Sequence, residues 1–223
     1  MFCAGTLRGQ ENAAEPVLSL PSRPPAGAVI LLGKRAEDLA EHWVQRRTTN
    51  PPSWQMDAEG VATPKGGDVS TRAEFGDCIL HVEFKPVTDA NGKAIGSGNA
   101  GVGLQGRYEV QMMNSYGAKP EAHNCASLYG QKAARVAACK PPTEWQTFDI
   151  VFRAPRFGPN GEVTEKARVT VFHNGLLVQN NEEFAGPTGI QYEQFKGEAK
   201  TGPIVLQGDH DPVQFRNIWI VPL

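Results

Sequence analysis

The chain has 223 residues, with 22 basic and 24 acidic side chains and a formal net charge of −2. That balance leaves no electrostatic footprint for nucleic acid or an anionic membrane, and no apolar run approaches the roughly 20 residues of a membrane span, so neither a nucleic-acid partner nor a membrane span is expected. The length suits one domain with a sizeable core, and 24 Gly and 17 Pro with few helix-period runs imply many short strands joined by turns.

Residues 1–28 read as an extended lead-in, rich in Pro and polar residues from Glu11 to Ala28, and residues 29–223 as a single domain. Met1–Gly5 lacks a charged segment followed by an apolar one, so no signal peptide is visible. Cys3 is read either as a free thiol or as the remnant of a lipid-attachment site. Val29–Leu32 is a short apolar strand, Ala36–Val44 a short helix ended before Asn50-Pro51-Pro52, and Trp54–Met56 with Gly60–Thr63 a hairpin. Asp68–Thr71 is a further short strand.

Asp77–Lys85 alternates cleanly, with Cys78, Leu80, Val82 and Phe84 on one face and Ile79, His81, Glu83 and Lys85 on the other. Arg107–Met113 does the same: Tyr108, Val110 and Met112 form a core face, and Arg107, Glu109, Gln111 and Met113 face outward. Gly98, Gly101, Gly103 and Gly106 precede it, removing side chains where a backbone or ligand must come close. Asn114–Pro142 is a long aperiodic connection, read as an ordered functional loop. Cys125 and Cys139 bracket most of it. A bridge between them would close a loop of about 15 residues and contribute roughly 3 kcal/mol. We expect that disulfide rather than two free thiols, and with it a secreted or periplasmic location. Cys78 is read as a buried free thiol.

Trp145–Ala154 and Ala167–His173 are strands, Asn174-Gly175 is a type I′ hairpin turn returning through Leu176–Gln179, and Gly202–Gln207 and Val213–Val221 close the chain. About a dozen short strands predict an all-β, antiparallel two-sheet sandwich with one short helix.

The blocks Phe75–Lys85, Gly98–Ser115, Glu144–Phe152, Asn174–Gly175, Gly202–His210 and Val213–Leu223, in this order, resemble the 3-keto-disaccharide hydrolase family, long catalogued as the domain of unknown function DUF1080. The resemblance runs from about Leu32 to Leu223 and implies a concanavalin A-like jelly roll. It also implies a small-molecule sugar substrate and a chemistry. In a glycoside oxidised to a ketone at C3 the C2 proton is acidic, so a base can remove it and the aglycone leaves from C1 by elimination, after which water adds. Such a site needs a base, an acid for the leaving oxygen and donors for the enolate oxygen. The resemblance points to Glu109 as base or acid and His210 as its partner, with Asp209 orienting the imidazole. Asn99, Arg107, Gln111, Gln207 and Arg216 would hold sugar hydroxyls or the ketone, Lys85 would stabilise the enolate, and Tyr129 or Tyr116 would stack on a sugar ring. No cofactor is implied and no metal ligand set is read, because Asp209, His210 and Asp211 are adjacent and rarely converge on one ion.

Each assignment has a structural alternative. Glu109 can pair with Arg107 or Lys85 on a solvated sheet face, His210 can be a solvated turn residue, Arg216 a clamp, and Glu83 half of a cross-strand ion pair. The same sandwich also hosts non-catalytic glycan-binding modules, although those present aromatic platforms and the outer rows here are charged and amide-rich. GxSxG and the paired-carboxylate spacing of laminarinase-like enzymes are both absent.

Overall fold

A computed structural model describes residues 23–188 and 197–223. Residues 1–22, with most of the expected lead-in and Cys3, and residues 189–196 lie outside the described residues. In chain order the elements are β1 (Val29–Leu32), α1 (Asp38–His42), β2 (Trp43–Gln45), β3 (Gln55–Met56), β4 (Ala62–Thr63), β5 (Val69–Phe75), β6 (Cys78–Pro86), β7 (Ala100–Leu104) and β8 (Tyr108–Met112). They continue with β9 (Gln146–Arg153), β10 (Arg156–Phe157), β11 (Val163–Glu165), β12 (Arg168–His173), β13 (Leu176–Glu183), β14 (Gly202–Leu206) and β15 (Val213–Pro222).

The strands form two antiparallel sheets of a jelly-roll sandwich. The larger runs β13-β12-β9-β6-β15-β4-β3 with β1 also on β15, the smaller runs β2-β5-β14-β7-β8, and β10 and β11 pair separately. Alternation decides what each strand buries. On β6, Cys78, Leu80, Val82 and Phe84 point into the core, and on β8 Tyr108, Val110 and Met112 meet them from the other sheet. Tyr108 packs on Phe152 and Phe184 with ring centroids at 5.7 and 4.9 Å. Cys78 is the expected buried thiol, and burial pushes its pKa up to about 12, leaving it inert.

The helix is shorter than the sequence predicts. Trp43 turns extended after α1, pairs with Thr71 and donates its indole N–H to the Leu31 carbonyl at 2.8 Å, so the gain from burying a Trp in a strand outweighs local helix preference. β5 extends to Phe75 because β14 pairs with its far half, and β10 and β11 are strands where no period was visible.

The long loop is ordered. Leu128 bridges to Val110, the Arg135 N–H donates to Val178 O at 2.9 Å, and the Gln179 amide donates to Ala126 O at 3.0 Å. Asn174 and Gly175 take φ of 51° and 83°, as a type I′ turn requires, and the Asn174 side chain donates to Ala138 O at 2.8 Å, fastening the loop's end to the hairpin. One expectation is corrected here. Cys125 and Cys139 do come side by side, but as free thiols and not as the expected bridge. The expectation of a location outside the cytosol rests on that bridge.

Candidate active site

Register across the smaller sheet places one face away from the core. Val44 pairs with Ser70, Ser70 with Val205, Val205 with Gly103 and Gly103 with Glu109, so these five form one row. In the next row the Arg46 N–H donates to Asp68 O at 2.9 Å, the Gln207 N–H donates to Gly101 O at 3.1 Å, and Gly101 pairs with Gln111. Asp68 and Gln207 each lie one residue beyond the Val69–Leu206 pair, which closes the row. The face therefore carries Arg46, Asp68, Ser70, Gln207, Glu109 and Gln111, all buried, around a column in which β7 contributes only Gly101 and Gly103.

Those glycines explain where Glu109 goes. A Cβ at position 101 would stand 2.4 Å from Glu109 Oε1, so the carboxylate lies across β7 in space that only glycine leaves. There the Gln207 amide donates to Oε1 at 3.1 Å. Gln111, with its amide turned to suit its neighbours, donates to the same oxygen at 2.9 Å and to Ala100 O at 2.8 Å. Its other amide atom is 3.1 Å from the Asn99 amide. The Glu109 backbone is equally fixed, its N–H donating to Thr188 Oγ1 at 2.9 Å and its carbonyl accepting from Tyr129 N at 3.2 Å.

Asn99, Glu109, Gln111, Gln207 and Tyr129 are thus brought together. The Tyr129 ring stands edge-on to His123 at 5.1 Å, and the Tyr129 backbone N–H on the Glu109 carbonyl sets this residue next to β8. His210 follows Gln207 by three residues at the mouth, with Nε2 3.5 Å from Asp209 Oδ1 and its side chain 43% exposed. The turn is fastened at both ends: Asp68 Oδ1 accepts from Gly208 N at 3.0 Å, and Asp211 Oδ2 accepts from Ser97 N, Ser97 Oγ and Asn99 N at 2.7, 2.7 and 3.0 Å. Burial, followed by the negative charge of Asp68, raises the pKa of Asp209, so this carboxyl keeps its proton to higher pH than an ordinary Asp.

Arg107 shares the face with Glu109 but is held to backbone carbonyls, donating to Gly197 O at 2.9 Å and Gln105 O at 2.8 Å, where it clamps the turn that joins β7 to β8. Arg46 and Asp68 are the site residues that sequence reading missed. Their buried ion pair, Nη1 to Oδ2 at 2.6 Å, joins an edge strand to the 208–211 turn across 22 residues of sequence. The available signal was Asp68-Val69-Ser70, where polar residues flank a core valine at strand period.

Lys85 and Arg216 are corrected outright. They belong to the larger sheet, on its outer face, and the sandwich core separates them from Glu109, because β6 and β15 pair with each other and not with β8. Arg216 donates through Nε to Glu83 Oε2 at 2.6 Å and stacks on Trp145 with its guanidinium 4.0 Å from the ring centroid, while Lys85 lies 5.2 Å from the same ring. The Arg216–Glu83 pair is the cross-strand ion pair that sequence reading set out as the alternative.

That second face also holds a cavity of about 380 Å³ lined by Glu83, Arg216, Asn217 and Lys34 among others. Its electrostatics argue against a base there. Burial opposes the Glu83 charge, but hydrogen bonds from His81, Asn217 and Arg216 outweigh it and hold the pKa at about 2. A carboxylate that acidic is a poor proton acceptor near neutrality. His81 is buried against Trp219 at 5.1 Å with Nδ1 2.6 Å from Asp149 Oδ1; burial pulls its pKa down, but Asp149 and Glu83 outweigh this and raise it.

This network predicts a stability profile. The depressed Glu83 pKa contributes stability that is fully present above the unfolded value of 4.5 and is lost as pH falls through about 2. The raised His81 pKa contributes stability that is fully present below 6.5 and is lost as pH rises through its folded value. Denaturant melts of wild type and Glu83→Gln should therefore differ most between about pH 5 and 6.5, by roughly 2–3 kcal/mol, and converge toward pH 2. A gap that does not change with pH would remove the ionic origin of the effect.

The comparisons with known proteins bear on this site. The family described as the 3-keto-alpha-glucoside-1,2-lyase-like domain matches residues 31–221. The chain belongs to that family. A solved structure from Parabacteroides distasonis, provisionally named a glycosyl hydrolase, is 27% identical, with a TM-score of 0.74 over 98% of this chain and 94% of that one. Two further structures from the same organism, named in the same provisional way, share the fold. One is 21% identical, with a TM-score of 0.59 over 88% of this chain and 99% of that one. The other is 16% identical, with a TM-score of 0.60 over 88% and 94%. No functionally curated protein matches. Among the described residues no helix is long and apolar enough to cross a membrane.

Proposed function

We propose that this member of a glycosyl hydrolase-like family cleaves 3-keto-glycosides, including 3-keto-disaccharides, by elimination followed by hydration. The observation that carries the proposal is Glu109, a buried carboxylate seated in a glycine gap with two neutral amides on one of its oxygens. Those amide donors fix the direction of the carboxylate oxygen they share.

In this reading Glu109 takes the C2 proton, and the electron pair forms an enolate whose C3 oxygen is met by side-chain donors of the face. Gln111, Gln207 and Arg46 are the polar donors there; Lys85 and Arg216, on the opposite sheet, have no part in it. Collapse of the enolate breaks the C1–O bond, and the departing oxygen receives a proton from the Asp209–His210 pair at the mouth, where a carboxyl with a raised pKa is suited to hold one. Water then adds, hydroxyl to C1 and proton to C2, so the net change is hydrolysis. Tyr129 and His123 supply ring surface beside the sugar.

Product analysis with 3-keto glycosides and their unoxidised parents tests this. Only the ketone acidifies the C2 proton, so the keto forms should be cleaved and the parents left intact. Comparable rates on both would exclude elimination.

A further inference from the structure

We propose that Cys125, Cys139 and His173 bind one thiophilic d10 metal ion of the Zn²⁺ or Cu⁺ class. The two sulfurs and a ring nitrogen of His173 all lie within 4.8 Å of one another. Donors around one tetrahedral zinc, with bonds of about 2.3 Å to sulfur and 2.0 Å to nitrogen, stand roughly 3.5 Å apart, so small side-chain rotations close the site.

His173 decides between a metal and a disulfide. It is 1% exposed, and its Nε2 has no hydrogen-bond partner among the described residues. A buried polar atom without a partner is costly, and a Cys125–Cys139 bridge would leave this imidazole as it is, whereas a metal uses all three groups. The charges also agree: two thiolates, a neutral imidazole and Zn²⁺ sum to zero, as do one thiolate, one thiol, a neutral imidazole and Cu⁺. Soft sulfur donors select this class of ion over Mg²⁺ or Ca²⁺.

The donors come from three segments. Cys125 lies in the long loop with its N–H on Ser115 Oγ at 3.1 Å, Cys139 ends that loop, and His173 ends β12 with its ring 5.0 Å from that of Phe148. A bound ion would fasten the loop carrying His123 and Tyr129 to the β12–β13 hairpin. Binding a divalent ion displaces the two thiol protons to solvent, with no change of oxidation state.

The reduced full-length chain, stripped of metal and kept anaerobic, is titrated with Zn²⁺ alone and, in a second arm, with Cu⁺ alone. Uptake of one ion per chain is expected in at least one arm, with release of about two protons for zinc. Cys139→Ala and His173→Gln should each weaken uptake by about tenfold or more. Because His173→Gln alters a packed interior, X-ray absorption on the metal-loaded wild type gives the independent reading, which should show two sulfur neighbours and one imidazole. Substoichiometric uptake in both arms, a sulfur-only shell, or linked Cys125–Cys139 peptides in an unreduced digest of the metal-exposed protein would each overturn the proposal.

Discussion

Glu109→Gln should lower kcat on a 3-keto-glycoside by a factor on the order of 10² or more while leaving the fold intact. Glutamine fills the same volume in the gap above Gly101 and can still accept from Gln207 and Gln111 through its carbonyl oxygen, so no cavity results and those two amides keep their acceptor. What it loses is the ability to take a proton. If Glu109 acts only in the chemical step, KM should change little while kcat and kcat/KM fall together. Glu162→Gln, at an exposed position in the hairpin of β10 and β11, should turn over like wild type. Near-full turnover by Glu109→Gln with unchanged thermal stability would make Glu109 a structural hydrogen-bond acceptor, and the base would then be sought at His123 or Asp209.

Why this site was half legible in the sequence follows from its geometry. The face of β8 was readable because a strand's period is two, so Glu109 and Gln111 had to share a side once Tyr108, Val110 and Met112 were assigned to the core. Gln207 joins them because its strand pairs with β7. Arg46 and Asp68 were hidden because strand adjacency across long sequence separation leaves no local trace. Lys85 and Arg216 misled for the same reason in reverse. Their polarity and strand positions suited a sugar site, but which sheet a strand enters is decided by its partners, and β6 with β15 builds the other layer. The outer row of β8 was read as facing outward, either solvated or gripping a polar ligand, and Arg107, Glu109 and Gln111 are all buried there, with the ordered loop after β8 folding back onto that strand.

Gly101→Ala tests the seating of Glu109 from the opposite direction, by adding one methyl group and changing no charge. The new Cβ would meet Glu109 Oε1 at 2.4 Å and Cδ and Cγ at 3.0 Å, closer than real contacts allow. The backbone at Gly101 needs no left-handed φ, so the strand itself tolerates alanine and the strain falls on the Glu109 side chain. That carboxylate is buried among the amides of Gln207 and Gln111 and must swing off both, at a cost of about 1–3 kcal/mol in stability. A displacement near 1 Å at a catalytic base typically costs about 10² in rate, so kcat should fall about as far as in Glu109→Gln although the carboxylate is still present. Gly186→Ala, where nothing lies within 4 Å of the added carbon, is the matched control and should keep both stability and rate. If Gly101→Ala loses stability but keeps full turnover, the position of Glu109 above β7 has no bearing on catalysis, and the glycine column serves packing alone.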